Sequence, residues 1–163
     1  MENQAEIMAS RSVQRDFRKP IWRKFISAVR TYDLIQPGDR VAVCVSGGKD
    51  SLLLAVCMRE LAKYSDVPFQ VEYLSMDPGY APENRRKMIE NARKLGFDLN
   101  VFDSPIFEAV NSVNRGFCHV CASMRRGYLY KEARKLGCNK IALGHHMDDA
   151  VETILLSMLY GGE

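Results

Sequence analysis

The hydrophobic positions of this chain switch repeatedly between two periods. Short runs with strand-like alternation or continuous apolar character occur at 40–46 (RVAVCVS), 71–76 (VEYLSM), 99–104 (LNVFDS) and 140–144 (KIALG). Each run is followed by residues whose apolar positions recur at helical spacing, at 50–64, 82–96, 122–136 and 148–160. Strands that alternate with helices pair in parallel, so the pattern predicts an α/β fold: a doubly wound parallel sheet with helices on both faces.

A separate helical segment precedes the first strand. Apolar residues from Ile21 to Val29 recur at helical spacing, and Pro20 suits the first position of a helix, so we predict a helix over 20–34. The turn residues Gln36-Pro37-Gly38-Asp39 then separate it from the first strand. We therefore divide the chain into a basic helical segment, residues 1–38, and a larger domain, residues 39–163.

Composition indicates a single globular unit. The chain has 163 residues, of which 47% are hydrophobic and 26% are charged, and it has no apolar run long enough to cross a membrane. The N-terminus lacks the apolar core of a signal peptide. We therefore expect a cytoplasmic protein with no membrane partner. The last helix, at 148–160, would ordinarily lead into another strand, and we expect that the chain is truncated at its C-terminus.

Charge is unevenly distributed. Residues 1–40 contain eight Lys or Arg and five Asp or Glu, whereas the other residues contain fifteen of each. A second basic stretch runs from Arg115 to Lys140, with seven basic residues and Glu132 as its one acid. Such patches fit a polyanionic partner, although solvated helix faces give the same pattern.

Polar clusters follow three of the predicted strands. In a doubly wound sheet, ligands bind beyond the carboxyl ends of the strands, so these clusters should meet at one edge. The second cluster is Met76-Asp77-Pro78-Gly79-Tyr80, a turn by composition, and its place at a strand end suggests the adenosine side of a nucleotide. The first and third clusters are Ser46-Gly47-Gly48-Lys49-Asp50-Ser51 and Gly144-His145-His146-Met147-Asp148-Asp149.

The glycine-rich cluster is suited to phosphate. Two adjacent glycines allow close backbone approach, and the following helix directs its unpaired N–H groups toward an anion. The spelling fits neither G-x-x-x-x-G-K-[ST] nor G-x-G-x-x-G. Lys49 adds positive charge, whereas Asp50 is suited to capping the helix or to binding Mg²⁺. A plain strand-to-helix turn is the alternative.

The third cluster combines histidines with carboxylates. Asp148 and Asp149 could hold Mg²⁺ on ATP phosphates, or they could simply cap the helix that starts there. His145 could donate to a phosphate or to a developing negative charge, or it could pack at the strand end.

Cys118 and Cys121 are the one spaced pair among five cysteines. Their place at a predicted helix start would stabilise thiolates. Structural zinc, a redox dithiol, a persulfide carrier and an incompletely ligated iron–sulfur cluster all remain open for such a pair. Arg125 and Arg126 follow the pair and could bind RNA phosphate or lie on a solvated helix face.

The glycine-rich cluster resembles the PP-loop of the ATP pyrophosphatase superfamily, so residues 39–163 would form a PP-loop ATP-binding domain. The stretch from Cys118 to Gly162, with C-H-V-C-A-S-M-R-R-G and L-G-H-H-M-D-D-A, resembles the TtcA-like tRNA 2-thiocytidine biosynthesis enzymes. The resemblance implies cleavage of ATP between its α and β phosphates, adenylation of a base oxygen, and its replacement by sulfur. It also implies a tRNA substrate, Mg²⁺ and a [4Fe–4S] cluster.

By this resemblance, the catalytic residues would be Cys118, Cys121 and Asp50. The two cysteines would hold the cluster, and Asp50, Asp148 and Asp149 would serve magnesium. Nucleotide would contact residues 46–51, with Met76, Asp77, Gly144, His145 and Asp149. The family's third cluster cysteine has no counterpart here, because no cysteine follows Cys138. A sulfur donor such as a cysteine desulfurase and a homodimer are further expectations. A tRNA lysidine synthetase-like ligase and a non-catalytic nucleotide sensor are the competing functions.

Overall fold

The structure, a computed structural model, describes residues 3–77, 79–104 and 117–161, with the backbone alone at 117–125 and 161. Its α-helices and strands are, in chain order, α1 (Gln4–Arg11), α2 (Arg23–Thr31), β1 (Arg40–Cys44), α3 (Lys49–Tyr64), β2 (Gln70–Asp77), α4 (Pro82–Lys94), β3 (Leu99–Asp103), α5 (Phe117–Lys135), β4 (Lys140–Leu143) and α6 (Met147–Leu156). Wider π-helical turns occupy Ser12–Asp16, Arg18–Trp22 and Ser157–Gly161.

The four strands form one parallel sheet in the order β3-β2-β1-β4, which confirms the predicted doubly wound α/β fold. Val43 of β1 pairs with Tyr73 of β2 on one side and with Ala142 of β4 on the other. The chain therefore builds outward from β1 in one direction and then crosses to its opposite side. Such a reversal opens a crevice at the carboxyl ends of β1 and β4, where ligands of this fold class bind.

Alternate residues of the central strand enter two different cores. Val41, Val43 and Val45 belong to a large core that also takes side chains from α2, α3 and α4. Ala42 points the other way, into a smaller core formed with Ala133 of α5. Because side chains of a strand alternate between faces, this division follows directly from the apolar run at 41–45.

The N-terminal segment differs from its prediction. The α-helix begins at Arg23, and Pro20 lies instead in the π-helical turn Arg18–Trp22. Proline has no N–H to donate, and the Trp22 N–H reaches back five residues to the carbonyl of Phe17 at 3.3 Å. The predicted helix at 20–34 was thus wrong at its start, and α1 was missed because its large apolar residues, Ile7 and Met8, are adjacent and establish no helical period.

A buried polar network fastens the N-terminal segment to α3. Glu60 is 1% exposed, and its carboxylate accepts hydrogen bonds from the Ser10 hydroxyl at 2.8 Å and the Gln14 amide at 2.7 Å. The Arg59 guanidinium pairs with the same carboxylate at 2.8 Å. Every charge in this network has a partner, as burial requires.

At the amino ends of the strands, Asp39 connects β1 with β4. Its buried carboxylate accepts hydrogen bonds from the Gln36 N–H at 2.6 Å and the Asn139 amide at 2.7 Å, and it pairs with Lys140 at 2.7 Å. The hydrogen bond from Lys140, with help from those two donors, lowers the pKa of Asp39 to about 2.

The remaining predicted elements are confirmed, with boundaries that shift by a few residues. The largest change is at α5, which begins at Phe117 rather than at residue 122 and so includes Cys118 and Cys121 in its first turns. Within the described ranges, no helix is both long enough and apolar enough to cross a membrane.

Candidate nucleotide-binding site

The loop between β1 and α3 closes on itself through two serines. The Ser51 hydroxyl accepts a hydrogen bond from the Ser46 N–H at 3.1 Å and donates to the Gly48 carbonyl at 2.9 Å. The Ser46 and Ser51 hydroxyls are themselves 3.1 Å apart. Gly47 has a φ of 85°, a conformation that favours glycine. The backbone of the loop is therefore held in shape by its own side chains.

Lys49 and Asp50 project from the first turn of α3. Gly48, with φ −76° and ψ 159°, is the N-cap of the helix, so the interpretation of Asp50 as the cap was wrong. The Lys49 ammonium instead pairs with the Asp50 carboxylate at 2.8 Å, and this hydrogen bond lowers the pKa of Asp50. The Lys49 side chain is 85% exposed, so it can leave this pair for an arriving phosphate.

Gly144, after β4, lies directly against the start of α3. A Cβ atom built on Gly144 would lie 2.9 Å from both the Cα and the N of Ser51, closer than real Cβ contacts occur. A side chain at this position would push the two segments apart. Position 144 requires glycine because the loop after β4 contacts the start of α3 backbone to backbone.

These loops border a cavity of about 410 Å³ at the carboxyl ends of β1 and β4. Seven predicted site residues line it: Ser46, Gly48, Asp50, Ser51, Met76, Gly144 and His145. A larger cavity of about 500 Å³ lies elsewhere, between α2 and the C-terminal half of α3, and none of the predicted site residues lines it. We assign the nucleotide to the 410 Å³ cavity, because it lies at the topological switch point and includes the glycine loop.

Sequence reasoning missed several residues of this cavity. Cys44, Val45, Leu74 and Leu129 line it, although the sequence marked them only as apolar core positions. Tyr80, a member of the second polar cluster, lines the cavity as well. Arg126 also lines it, although the sequence had suggested RNA phosphate or a solvated helix face for this residue. Burial raises the pKa of the Cys44 thiol to about 11, so it contributes an uncharged, apolar wall.

Asp77 supports the cavity from outside rather than lining it. Its carboxylate is 3% exposed and accepts hydrogen bonds from the N–H groups of Gly79 at 2.8 Å and Tyr80 at 2.7 Å. Its other oxygen accepts from Arg85 at 3.1 Å, and Arg85 also pairs with Asp103. Asp77 therefore fixes the turn that presents Tyr80 to the cavity.

The acidic pair after β4 is split between two environments. Asp149 caps α6 by accepting a hydrogen bond from the His146 N–H at 2.8 Å, and its carboxylate lies 3.7 Å from the His146 Nδ1. The Asp148 side chain is 80% exposed. Among the described residues, no three His, Cys, Asp or Glu side chains gather closely enough to form a metal site. The lining of the 410 Å³ cavity does not include four of the predicted site residues: Gly47, Lys49, Asp148 and Asp149.

The backbone at Cys118 and Cys121 is helical, and the two cysteines lie in the first turns of α5; their side chains are outside the described part of the chain. The helix reaches the cavity one turn and a half further on, at Arg126. The other three cysteines are free and buried, and burial raises the pKa of each thiol. Cys44, Cys57 and Cys138 therefore behave as small packing residues.

A parallel sheet with a self-bonded glycine loop at its switch point defines a nucleotide-binding α/β domain. A family model described as a PP-loop domain matches residues 17–162. The chain therefore belongs to the PP-loop family.

The chain is also similar to proteins named tRNA-cytidine(32) 2-sulfurtransferase. It is 38% identical over 138 residues to the one from Citrifermentans bemidjiense, covering 83% of this chain and 54% of that protein. It is 40% identical over 139 residues to the one from Geotalea uraniireducens, covering 83% and 55%. The chain thus spans about half the length of the curated relatives it matches.

Among solved structures, the fold is similar to that of the U34-tRNA thiolase NcsA from Methanococcus maripaludis, which was determined with its [4Fe-4S] cluster. The TM-score is 0.67 at 19% identity, and the match covers 86% of this chain and 52% of that one. At this identity the likeness supports the arrangement of sheet and helices.

Proposed function

We propose that this chain is the PP-loop part of an ATP-dependent tRNA thiolation enzyme, which replaces a base oxygen, that of cytidine C2, with sulfur. The observation that carries the proposal is the combination of a phosphate loop at the sheet's switch point with a C-x-x-C pair at the start of the helix bordering the same cavity. The names of the relatives, tRNA-cytidine(32) 2-sulfurtransferases, support the choice of reaction and substrate.

The first step would be attack of the base oxygen on the α-phosphorus of ATP. An oxygen–phosphorus bond forms, the bond to the β-phosphate breaks, and pyrophosphate leaves. The backbone N–H groups at the start of α3 would hold the departing phosphates, and Lys49 would exchange its contact with Asp50 for their charge. The apolar wall of Cys44, Leu74 and Leu129 would enclose the adenosine.

In the second step sulfur adds to the activated carbon, and AMP departs with the original oxygen. Cys118 and Cys121 fit an iron–sulfur cluster in residue type and in C-x-x-C spacing. The buried thiols at Cys44, Cys57 and Cys138 stay protonated and do not extend this donor set. When bound, the cluster would supply the sulfur-carrying site, and Arg126 would offer its charge between it and the nucleotide.

Magnesium would be held with the nucleotide. Asp50 is the one predicted magnesium ligand that lines the cavity, and the hydrogen bond from Lys49 lowers the pKa of its carboxyl group. Asp148 and Asp149 lie across the Gly144 contact from it, at the start of α6. Because Mg²⁺ on ATP commonly keeps several water and phosphate ligands, one or two carboxylates suffice.

The experiment separates the two chemical steps. Protein prepared without oxygen is mixed with Mg-ATP, tRNA and sulfide, pyrophosphate and AMP are measured, and the nucleosides are analysed by mass spectrometry. We expect release of both products that depends on tRNA, together with 2-thiocytidine. Cys118→Ser should still release pyrophosphate yet form no thionucleoside, whereas Lys49→Ala should lose both. Cys138→Ser, which changes a buried thiol, is the control.

Other results would select other functions. Incorporation of lysine into tRNA by both the parent and the Cys118→Ser protein would indicate a lysidine synthetase-like ligase. ATP binding with no tRNA-dependent consumption would indicate a nucleotide sensor. The same proposal includes a cysteine desulfurase as sulfur donor, a homodimer, a cytoplasmic location and a division of the chain at residues 38/39. Sulfur transfer from a desulfurase tests the donor, and sedimentation tests the homodimer.

A further inference from the structure

The helical segment before β1 is rich in exposed basic side chains that make no ion pairs with the described residues. Residues 11–32 include seven Lys or Arg and one acid, Asp16. All seven cations are exposed, and none has an ion-pair partner among the described residues. By contrast, Arg40, Arg59 and Arg85 elsewhere in the chain are each paired with carboxylates. Within the part of the chain that the structure describes, the N-terminal cations therefore do not stabilise the fold through ion pairs.

Four of these cations line a continuous surface. One groove, of about 380 Å³, takes Arg18, Arg23 and Arg30 together with Trp22. A second groove, of about 390 Å³, shares Arg23 with the first and adds Lys24. Ser27 and Thr31 line both grooves, and Tyr32 lines the second, so hydroxyl donors alternate with the charges. We call these two grooves together the basic groove.

The basic groove adjoins the nucleotide site through the same piece of chain. On the neighbouring face of this segment, Ile21 and Phe25 line a cavity of about 210 Å³ together with Asp50, His145 and His146. One face of residues 18–31 thus borders the phosphate loop, while the next face presents guanidinium, ammonium and hydroxyl groups to solvent. A polyanion lying in the groove would therefore be held by the same chain segment that borders the phosphate loop.

We propose that the basic groove binds the sugar–phosphate backbone of the RNA substrate. Arginine and lysine beside serine, threonine and tyrosine hydroxyls are the side chains that contact nucleic-acid phosphates, which position a substrate without reading its sequence. This inference rests on the proposed function for the identity of the RNA as tRNA. It assigns to residues 18–32 the positioning of that RNA, outside the catalytic loop and the cysteine pair.

The test compares two Arg-Lys pairs in one chain. Arg23→Gln/Lys24→Gln removes two charges from the groove, and Arg93→Gln/Lys94→Gln removes the same two from the exposed C-terminal end of α4. Binding of a fluorescent tRNA transcript is measured by anisotropy over a series of salt concentrations. ATP affinity and circular dichroism are measured on every variant, to show that the nucleotide site and the fold are intact.

We expect the groove variant to bind tRNA several-fold more weakly, with the salt dependence of log K reduced by about 2. The α4 variant should keep both values, and ATP affinity should be unchanged in both. A second groove variant, Arg18→Gln/Arg30→Gln, should reproduce the loss and guards against a local folding defect. Equal tRNA affinity and salt dependence in both groove variants and the parent would overturn the assignment.

The thiolation proposal and the groove proposal can fail independently, and different measurements show which one has failed. If the parent binds RNA through the groove but neither releases pyrophosphate nor forms a thionucleoside, the groove stands and the thiolation proposal fails. If thiolation proceeds equally in the parent and in both groove variants at limiting tRNA, the groove assignment alone fails.

Discussion

Replacing Gly144 with alanine tests whether the loop after β4 and the phosphate loop act as one rigid unit. The added Cβ would lie 2.9 Å from the Cα and N of Ser51 and 3.2 Å from the carbonyl carbon of Asp50. Carbon atoms prefer separations of about 3.5–4.0 Å, so the segments must move apart by about 0.6 Å or more. Every atom it meets is backbone, and Ser51 is held by its bonds to Ser46 and Gly48, so no side chain can simply rotate away.

The close contact at Gly144 should reduce both the folding stability and the activity. Overpacking of this kind costs about 1–3 kcal/mol of folding free energy, and in a chain of this length each kcal/mol lowers Tm by about 2–4 °C. Displacement of the phosphate loop by a large fraction of an ångström should also weaken pyrophosphate release, by up to about 100-fold for a 1 Å misplacement. We therefore expect Gly144→Ala to lower both stability and ATP turnover.

The assay is thermal unfolding followed by circular dichroism, together with the rate of tRNA-dependent pyrophosphate release from Mg-ATP. The matched control is Gly127→Ala in α5, where a Cβ meets no other atom within 4 Å. Alanine is favoured over glycine inside a helix by about 1 kcal/mol, so the control should be stabilised. A Gly144→Ala protein with the parent's Tm and rate of pyrophosphate release would refute the argument that the two loops are in rigid contact.

Three further substitutions test other parts of the structure. Asp39 has a pKa of about 2 against an ordinary 3.8, so its contribution to folding stability is present above about pH 4 and is lost as the pH falls toward 2. Asp39→Asn should therefore be less stable than the parent at neutral pH. Urea unfolding should show the stabilities of the two proteins converging in acid. Asp77→Ala should free the turn carrying Tyr80 and raise the Kd for ATP, with Asp103→Ala, an exposed carboxylate, as a weaker comparison. Glu60→Ala leaves Arg59 with Glu6 as its one paired carboxylate among the described residues and removes the acceptor of Ser10 and Gln14, so it should cost about 1–3 kcal/mol in urea unfolding; an unchanged unfolding free energy would contradict the ascribed role.

Local sequence was sufficient to predict most of the architecture. The apolar runs at the four strands and the helical spacing between them specify the alternation of elements, because burial on both faces of a parallel sheet demands continuous apolar strands. Two adjacent glycines, three and four residues after the end of β1, likewise indicate a phosphate loop from backbone freedom alone. The N-terminal boundary was harder to predict, since the large apolar residues of α1, Ile7 and Met8, establish no helical period and α1 is positioned by the Glu60 network with a distant helix.

Some residues of the candidate site could be predicted from the sequence, and others could not. The sequence by itself determined which polar groups follow each strand, and parallel pairing then brings Ser46, Met76 and Gly144 to one edge. Only the tertiary structure decided that Asp77 faces inward to hold a turn, that Cys44 and Leu129 form the cavity wall, and that the cations of residues 18–30 share one groove. The reason is physical: residue type and spacing fix local conformation, whereas the direction a side chain takes depends on neighbours that are remote in sequence.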